Sequence, residues 1–428
     1  MGFVEESWRR CGDCFEIRVG GQSVKIVVHP DDVEAILLTR RERYIKGDAY
    51  AQFRQVVGEG LITSEGELWR RQRRLIQPSF TRQNISDLGG LIVRLCDRTL
   101  ASWPERHREG EPFDVHDELM RLTLEIIGRG LFSLELGDER ANLSTHAFGE
   151  SLEVLGRRIV ALVVPPPWLP TPANRKLQRS IAALDAVVHA VVEGRRERGE
   201  LGDDLLAALL RGRDEEGELI DDQQIHDEVI TMFLAGHETT AVALSWTLWL
   251  LSRNPEARVR LVEEVDAVLG GRLPTVEDLG RLSWTRQVFL EAMRLVPPAW
   301  GGALNCIDDD VLGGALGMQL PISAGERVIH VMRLTHRHPE FWPDPERFDP
   351  DRFDPERAAG RHGFAYTPFS AGPRKCVGQH LATMEAQLVL ACLFQRYELE
   401  VPESFEPEPE YTLTTRPKTG MQLVWRGR

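Results

Sequence analysis

Two places in this 428-residue sequence set reactive side chains among residues that would tune them. Cys376, in the run FSAGPRKCVGQHLATMEA, lies between Gly372 and Gly378, directly follows Arg374 and Lys375, and precedes a helical pattern. Cationic neighbours and a helix N-terminus favour deprotonated sulfur, and glycines let backbone amides approach it, so this is the setting of a thiolate. The plainer reading of a lone cysteine is a buried structural side chain. The second place is AGHETT (235–240), at the middle of the apolar run Val229–Leu251. Ala235 and Gly236 carry almost no side chain, and the Thr239 hydroxyl can bond back to a carbonyl one turn earlier and open the helical ladder locally. Read alone, these letters fit equally a small-residue packing face in which a basic neighbour satisfies Glu238.

The elements that must position these residues follow from periodicity. Val229–Leu251 is long enough to span a bilayer, but His237 and Glu238 at its centre would be expensive in lipid and Asp221 and Asp222 read as caps, so it predicts a helix crossing a protein core. Residues 14–28 alternate around Gly20-Gly21 and predict a β-hairpin. From about 85 to 270 long helical patterns dominate, interrupted by VVPPPWLPTPAN (163–174), whose prolines force a stiff loop between two helices. The chain is irregular from about 296 to 378, after which LATMEAQLVLACLFQRY restores a helical period. With no repeat or flexible linker, the expectation is one mainly α domain with small β-rich regions: a β-rich part at about 12–60, a helical core at about 61–295 and a C-terminal part at about 296–428.

Composition narrows the function classes. Lys+Arg 52 against Asp+Glu 66 gives a net charge of −14, without the positive field that nucleic-acid binding needs. The 6 cysteines are irregularly spaced and form no disulfide framework, which fits a reducing, cytoplasmic compartment. Cys11-Gly-Asp-Cys14 lacks a second ligand pair and precedes a strand, so it reads as neither a zinc nor a redox site. The histidines form no H-E-x-x-H pattern, and the first residues offer neither a signal peptide nor an anchor helix.

Phe369, Gly372, Arg374, Cys376 and Gly378 form F-x-x-G-x-R-x-C-x-G, which resembles the haem-binding loop of the cytochrome P450 family. The resemblance implies that Cys376 is the metal ligand, its thiolate pushing electron density onto haem iron. AGHETT resembles the family's oxygen-binding motif, which implies that Ala235 and Gly236 lie against the flat cofactor and that Glu238 and Thr239 act catalytically as an acid–alcohol proton relay. Trp69 and Arg73, four apart in GELWRRQRRL, match the family's W-x-x-x-R for a haem propionate, with Arg374 as a further cation. Glu291 and Arg294 match its Glu-x-x-Arg, with Arg347 of Pro345-Glu346-Arg347-Phe348 completing a structural Glu–Arg–Arg network. The spacing alone is weak, since it recurs at Glu6/Arg9, Glu67/Arg70, Glu105/Arg108, Glu118/Arg121 and Glu193/Arg196; chain order selects Glu291. After Pro297-Pro298, Leu304 or Asn305 stands where many members place an arginine for the second propionate, and Gly301 and Gly302 could widen the pocket.

The resemblance implies the cytochrome P450 fold around haem b, without a membrane anchor, as a monomer. It further implies a monooxygenase that activates dioxygen with two electrons from a separate ferredoxin or flavodoxin and its reductase, and that hydroxylates or epoxidises a hydrophobic small molecule: terpenoid, fatty-acyl, steroid or polyketide-like. Arg70, Arg71, Arg74 and Lys375 could meet an acidic redox partner. The alternatives are a peroxide-driven peroxygenase and a haem-bearing ligand-binding protein without turnover, both disfavoured by the Glu238–Thr239 pair. Leu234, Ala235, Val296, Ala299, Trp300 and the segments GDAYAQFRQVVGEGLI and IVALVVPPPW are apolar where the family lines its pocket.

Overall fold

In the computed structural model, residues 1–134, 138–159, 164–199, 202–213, 217, 219–314, 317 and 319–428 are described. The apolar run folds as the helix Asp222–Arg253, with Asp221 capping it through the Gln224 amide at 2.7 Å. Hydrophobic nearly all round, it is buried on every side, as such a helix must be. Val115–Phe132, Pro172–Arg198, Ser283–Leu295 and Gln379–Arg396 pack against it. Among the described residues, no helix is long and apolar enough to cross a membrane.

The hairpin forms as expected: Cys14–Val19 pairs antiparallel with Gln22–Val27, with Gly20 and Gly21 at positive φ in the turn. The sheet is not an N-terminal unit, however. Gln22–Val27 pairs in parallel with Arg327–His330, which pairs with Gly302–Cys306, which in turn holds Tyr44–Ile45. The segment expected to be irregular after 296 therefore supplies two of the five strands. A first helix, Gly2–Cys11, also stands where none was predicted. In the proline-rich stretch, residues 164–171 run without helix and Thr171 caps the helix that Pro172 begins, whereas residues 160–163 of IVALVVPPPW lie outside the described residues.

One further piece matters for the site. The hairpin of Pro409–Tyr411 and Thr415–Pro417 inserts its tip into the molecule. Thr415 bonds the Pro297 and Pro298 carbonyls at 2.8 Å, and Trp246 of the central helix donates to the Thr415 carbonyl at 2.6 Å.

Candidate active site

The loop carrying Cys376 is fixed from several sides. Gly372 has φ +67° and its bare Cα faces the Leu37 carbonyl, where a Cβ would come within 2.2 Å, so only glycine fits. Cys376 N–H donates to the Phe369 carbonyl at 2.9 Å. Arg73 donates to the Lys375 carbonyl at 2.9 Å, and Arg374 donates to the Ser64 carbonyl at 3.0 Å, pairs with Glu65 and stacks 4.4 Å over the ring of Trp69. Trp69, Arg73 and Arg374 are thus gathered where the helix Gly66–Ile76 meets the thiol loop.

Cys376 is exposed to the space beside its loop, yet enough protein surrounds it that burial pushes its thiol above the ordinary range. The Gly378 and Gln379 amides, Arg73 and Lys375 pull the other way without prevailing. The expectation that the polypeptide alone favours a thiolate is corrected on this point. A sulfur aimed into open space, ringed by amide donors but short of positive charge, is the donor a metal centre completes, since coordination deprotonates a thiol. A Cβ at Gly378 would stand at ordinary contact distances, 4.0 Å from the sulfur and 3.8 Å from Phe80, so space alone does not demand glycine there. These residues fit a haem held by Cys376, with cations at its edge.

On the central helix, Ala235, Gly236 and Thr239 are half-buried while His237, Glu238 and Thr240 are closed off. Thr239 donates to the Ala235 carbonyl at 2.8 Å, the bond expected from sequence, but the helix stays continuous rather than opening. Gly236 serves a second purpose. A Cβ on it would meet Ile127 at 2.6 Å, so its bare Cα also lets the helix Val115–Phe132 approach.

Glu238 is buried, and its Oε1 accepts from Thr414 at 2.6 Å, at the tip of the C-terminal hairpin. Burial raises its pKa to about 7, against the lowering effects of the Thr414 hydrogen bond and Arg416. A buried carboxyl that titrates near neutrality can take up and release a proton in the same pH range. Thr414 carries no recognisable motif, and nothing in the sequence joins it to a residue 176 positions earlier.

The charge network differs from expectation in one member. Glu291 and Arg294 are fully buried and paired at 2.7 and 2.8 Å, and Glu291 also accepts from the Asp349 amide at 2.8 Å. The third cation is Arg352, 3.5 Å from Glu291, not Arg347. Arg347 is exposed and contributes only its carbonyl, to which Arg294 donates at 3.1 Å. The sequence holds two Pro-x-Arg-Phe runs, 345–348 and 350–353; the second forms a short 3-10 turn that buries its arginine.

Among the residues read as pocket lining, Leu234 and Val296 close into the main core, and Ala235 and Ala299 stay half-buried. Trp300 is a correction: its ring packs with the cluster under the N-terminal helix that includes Trp8 and Val28, and its Nε1 donates to the Thr412 carbonyl at 2.8 Å. Gly302 leaves room for buried His330 rather than a wider pocket, since a Cβ would lie 2.4 Å from His330 Nε2. Lys46 was missed. It directly follows the strand Tyr44–Ile45, whose Ile45 pairs with Asn305, the neighbour of Leu304 where the expected arginine is absent. Burial, then Arg374, lower its pKa to about 7, and it donates to the Ile62 carbonyl.

A sequence profile of the Cytochrome P450 family matches residues 3–424. The putative cytochrome P450 132 of Mycobacterium tuberculosis is 34% identical, over 98% of this chain and 91% of that protein. Cyclooctatin synthase of Streptomyces melanosporofaciens is 36% identical (95% and 87% covered), as is pentalenene oxygenase of Streptomyces avermitilis (93% and 86%). The crystal structure of the cytochrome P450DA heme domain superposes with a TM-score of 0.88 at 28% identity, covering 100% of this chain and 92% of that one. The buried Glu–Arg pair, the thiol loop and the central helix thus sit in the fold of a haem-thiolate oxygenase. The chain belongs to the cytochrome P450 family and is a monooxygenase of that family.

Proposed function

We propose that this enzyme holds haem b on Cys376 and inserts one atom of dioxygen into a terpenoid substrate, with electrons from a separate ferredoxin or flavodoxin and its reductase. The observation that carries this reading is the pairing of Cys376 on its fixed loop with a central helix whose half-buried face is Ala235, Gly236 and Thr239. Haem when bound supplies the dioxygen chemistry, with cysteine ligation favouring O–O cleavage. The polypeptide does the rest. Trp69, Arg73 and Arg374 anchor the cofactor's carboxylates, and Lys46, a neighbour of Arg374, supplies the further cation that Leu304 does not. Glu238, held by Thr414, stores a proton that Thr239 can pass into the pocket. The apolar walls around Leu234 and Val296 exclude water.

Terpenoid chemistry is favoured by relatives whose names give pentalenene and cyclooctat-9-en-7-ol as what they oxidise, both apolar carbon frameworks. An exposed cationic face of Arg70, Arg74 and Lys375 suits an acidic electron donor; Arg71 is drawn off it, donating to Gln224 at 2.9 Å. Six unpaired cysteines support work in the cytoplasm.

The test is the ferrous–carbon monoxide difference spectrum of the purified protein beside Cys376→His. A strongly red-shifted Soret band in the wild type alone supports cysteine ligation, and its absence from haem-loaded wild type overturns the assignment. Product formation with reductase, ferredoxin and dioxygen, but not with peroxide alone, separates the monooxygenase from a peroxygenase.

A further inference from the structure

Outside the site just described, a cleft of about 390 Å³ opens between the end of the helix Asp138–Ile159 and the start of Pro172–Arg198. Its walls combine apolar side chains, Val154, Val164 and Pro165 among them, with Arg157, Arg158, Lys176 and one carboxylate, Glu153. Three cations against one anion is an unusual local balance in a chain of net charge −14.

Arg158 decides what the cleft suits. Its side chain is 93% buried by area, at 7% exposure, and its donors go to two neutral amides: Gln55 Oε1 at 2.8 Å and the Asn174 side-chain oxygen. Among the described residues, no carboxylate lies within ion-pair distance of it. Glu153 is already engaged, by Lys176 at 2.8 Å and Arg157 at 2.6 Å. A cation in the last turn of a helix would ordinarily settle on that helix's own carbonyls. Arg158 instead reaches across to Asn174, in the first turn of a 27-residue helix, where the helix dipole is also positive. Asn174 cannot turn away, because its amide nitrogen donates to the Pro166 and Leu169 carbonyls, both at 2.7 Å, which leaves its oxygen facing the guanidinium. Thr171 caps that helix and Pro172 has no N–H, so the helix adds only its dipole; the charge left with neutral partners alone is the buried guanidinium, which an anionic occupant completes.

We propose that this cleft binds a carboxylate carried on an apolar skeleton, the carboxylate on Arg158, the skeleton along Val154, Val164 and Pro165. The molecule is either the substrate on its way to the haem or a second ligand bound beside it.

The test is equilibrium dialysis of the haem-loaded enzyme with dodecanoate and with dodecanol, in the wild type, Arg158→Gln and Arg158→Lys. No turnover is involved, so the outcome stands apart from the proposed reaction. Expected is a preference of wild type for the acid of about ten- to hundred-fold, the range of one charge-assisted contact, lost in Arg158→Gln and largely kept in Arg158→Lys. A concurrent shift of the haem spin state with dodecanoate identifies the substrate route, and binding without a shift identifies a separate site; both uphold the cleft. Equal affinity of wild type for acid and alcohol, or a preference that persists in a folded Arg158→Gln, overturns it. Should Arg158→Gln fail to fold, the acid–alcohol comparison in wild type and its loss in high salt decide.

Discussion

Replacing Arg352 with alanine should damage this enzyme where replacing Arg347 does not. Arg352 is 5% exposed, stands 3.5 Å from Glu291 and donates to the Pro343 and Asp344 carbonyls. Its loss leaves those carbonyls without their charged donor, but Glu291 keeps the two-pronged contact with Arg294 and the Asp349 amide. The cost should therefore stay near the lower end of the ~3–5 kcal/mol expected when a buried pair is broken outright, about 2–4 kcal/mol. Arg347 is exposed and lends only a carbonyl that alanine also has, so Arg347→Ala should lie within about 0.5 kcal/mol of wild type. Urea unfolding of the haem-loaded proteins, with haem content per chain measured in parallel, reads both effects. A fall in stability and haem content in Arg347→Ala equal to or larger than that in Arg352→Ala would refute the assignment of the network.

Thr414→Val removes the donor that favours ionised Glu238, so the carboxyl, already at about 7, should rise by about one pH unit or more, a hydrogen bond to a charged group being worth ~1.5–3 kcal/mol. The neutral inflection in the pH dependence of coupled product formation should move up in Thr414→Val and stay in Thr414→Ser; an unmoved inflection in the valine variant counts against the relay. Glu228 is fully buried, accepts from the Leu61 amide at 3.1 Å and is pushed up to about 8 by burial. Because the folded state favours its protonated form, it weakens the fold increasingly as pH rises from about 4.5 to 8. Glu228→Gln, which keeps an acceptor for Leu61, should gain on the order of a few kcal/mol at pH 8.5 and almost nothing near pH 4.5, by urea unfolding; an equal gain at both overturns the account.

What the sequence disclosed was what lies close together along it. The thiol loop is a local signature whose glycines and cations all fall within ten residues of Phe369, and the central helix announces itself by a long, mostly apolar run with an aspartate cap. Contacts between distant segments left no such mark. Two Pro-x-Arg-Phe runs offer the same side chain five residues apart, and only the turn that buries one of them distinguishes Arg352 from Arg347. Gly236 and Trp300 show the limit of residue type: smallness served Ile127 as well as it could serve a cofactor, and an aromatic ring beside Pro298 had two apolar clusters open to it. Lys46 became legible only in the fold, where it follows the strand paired with Asn305 and is half-buried near Arg374.

The small sheet carries a consequence for how the molecule comes into being. The hairpin of residues 14–27 is complete early in synthesis, but the edge Val24–Val27 finds its parallel partner only in Arg327–His330, some three hundred residues later. Pairing at such separation must meet a large loop-closure cost before it is rewarded, which slows folding. Until then a short strand ending in Ile26 and Val27 stands with unpaired amides, the kind of edge on which nascent chains associate wrongly. Yield of folded protein should therefore depend on how quickly the chain is made and on whether chaperones shield that edge, and slow expression at low temperature should favour the native sheet over aggregates.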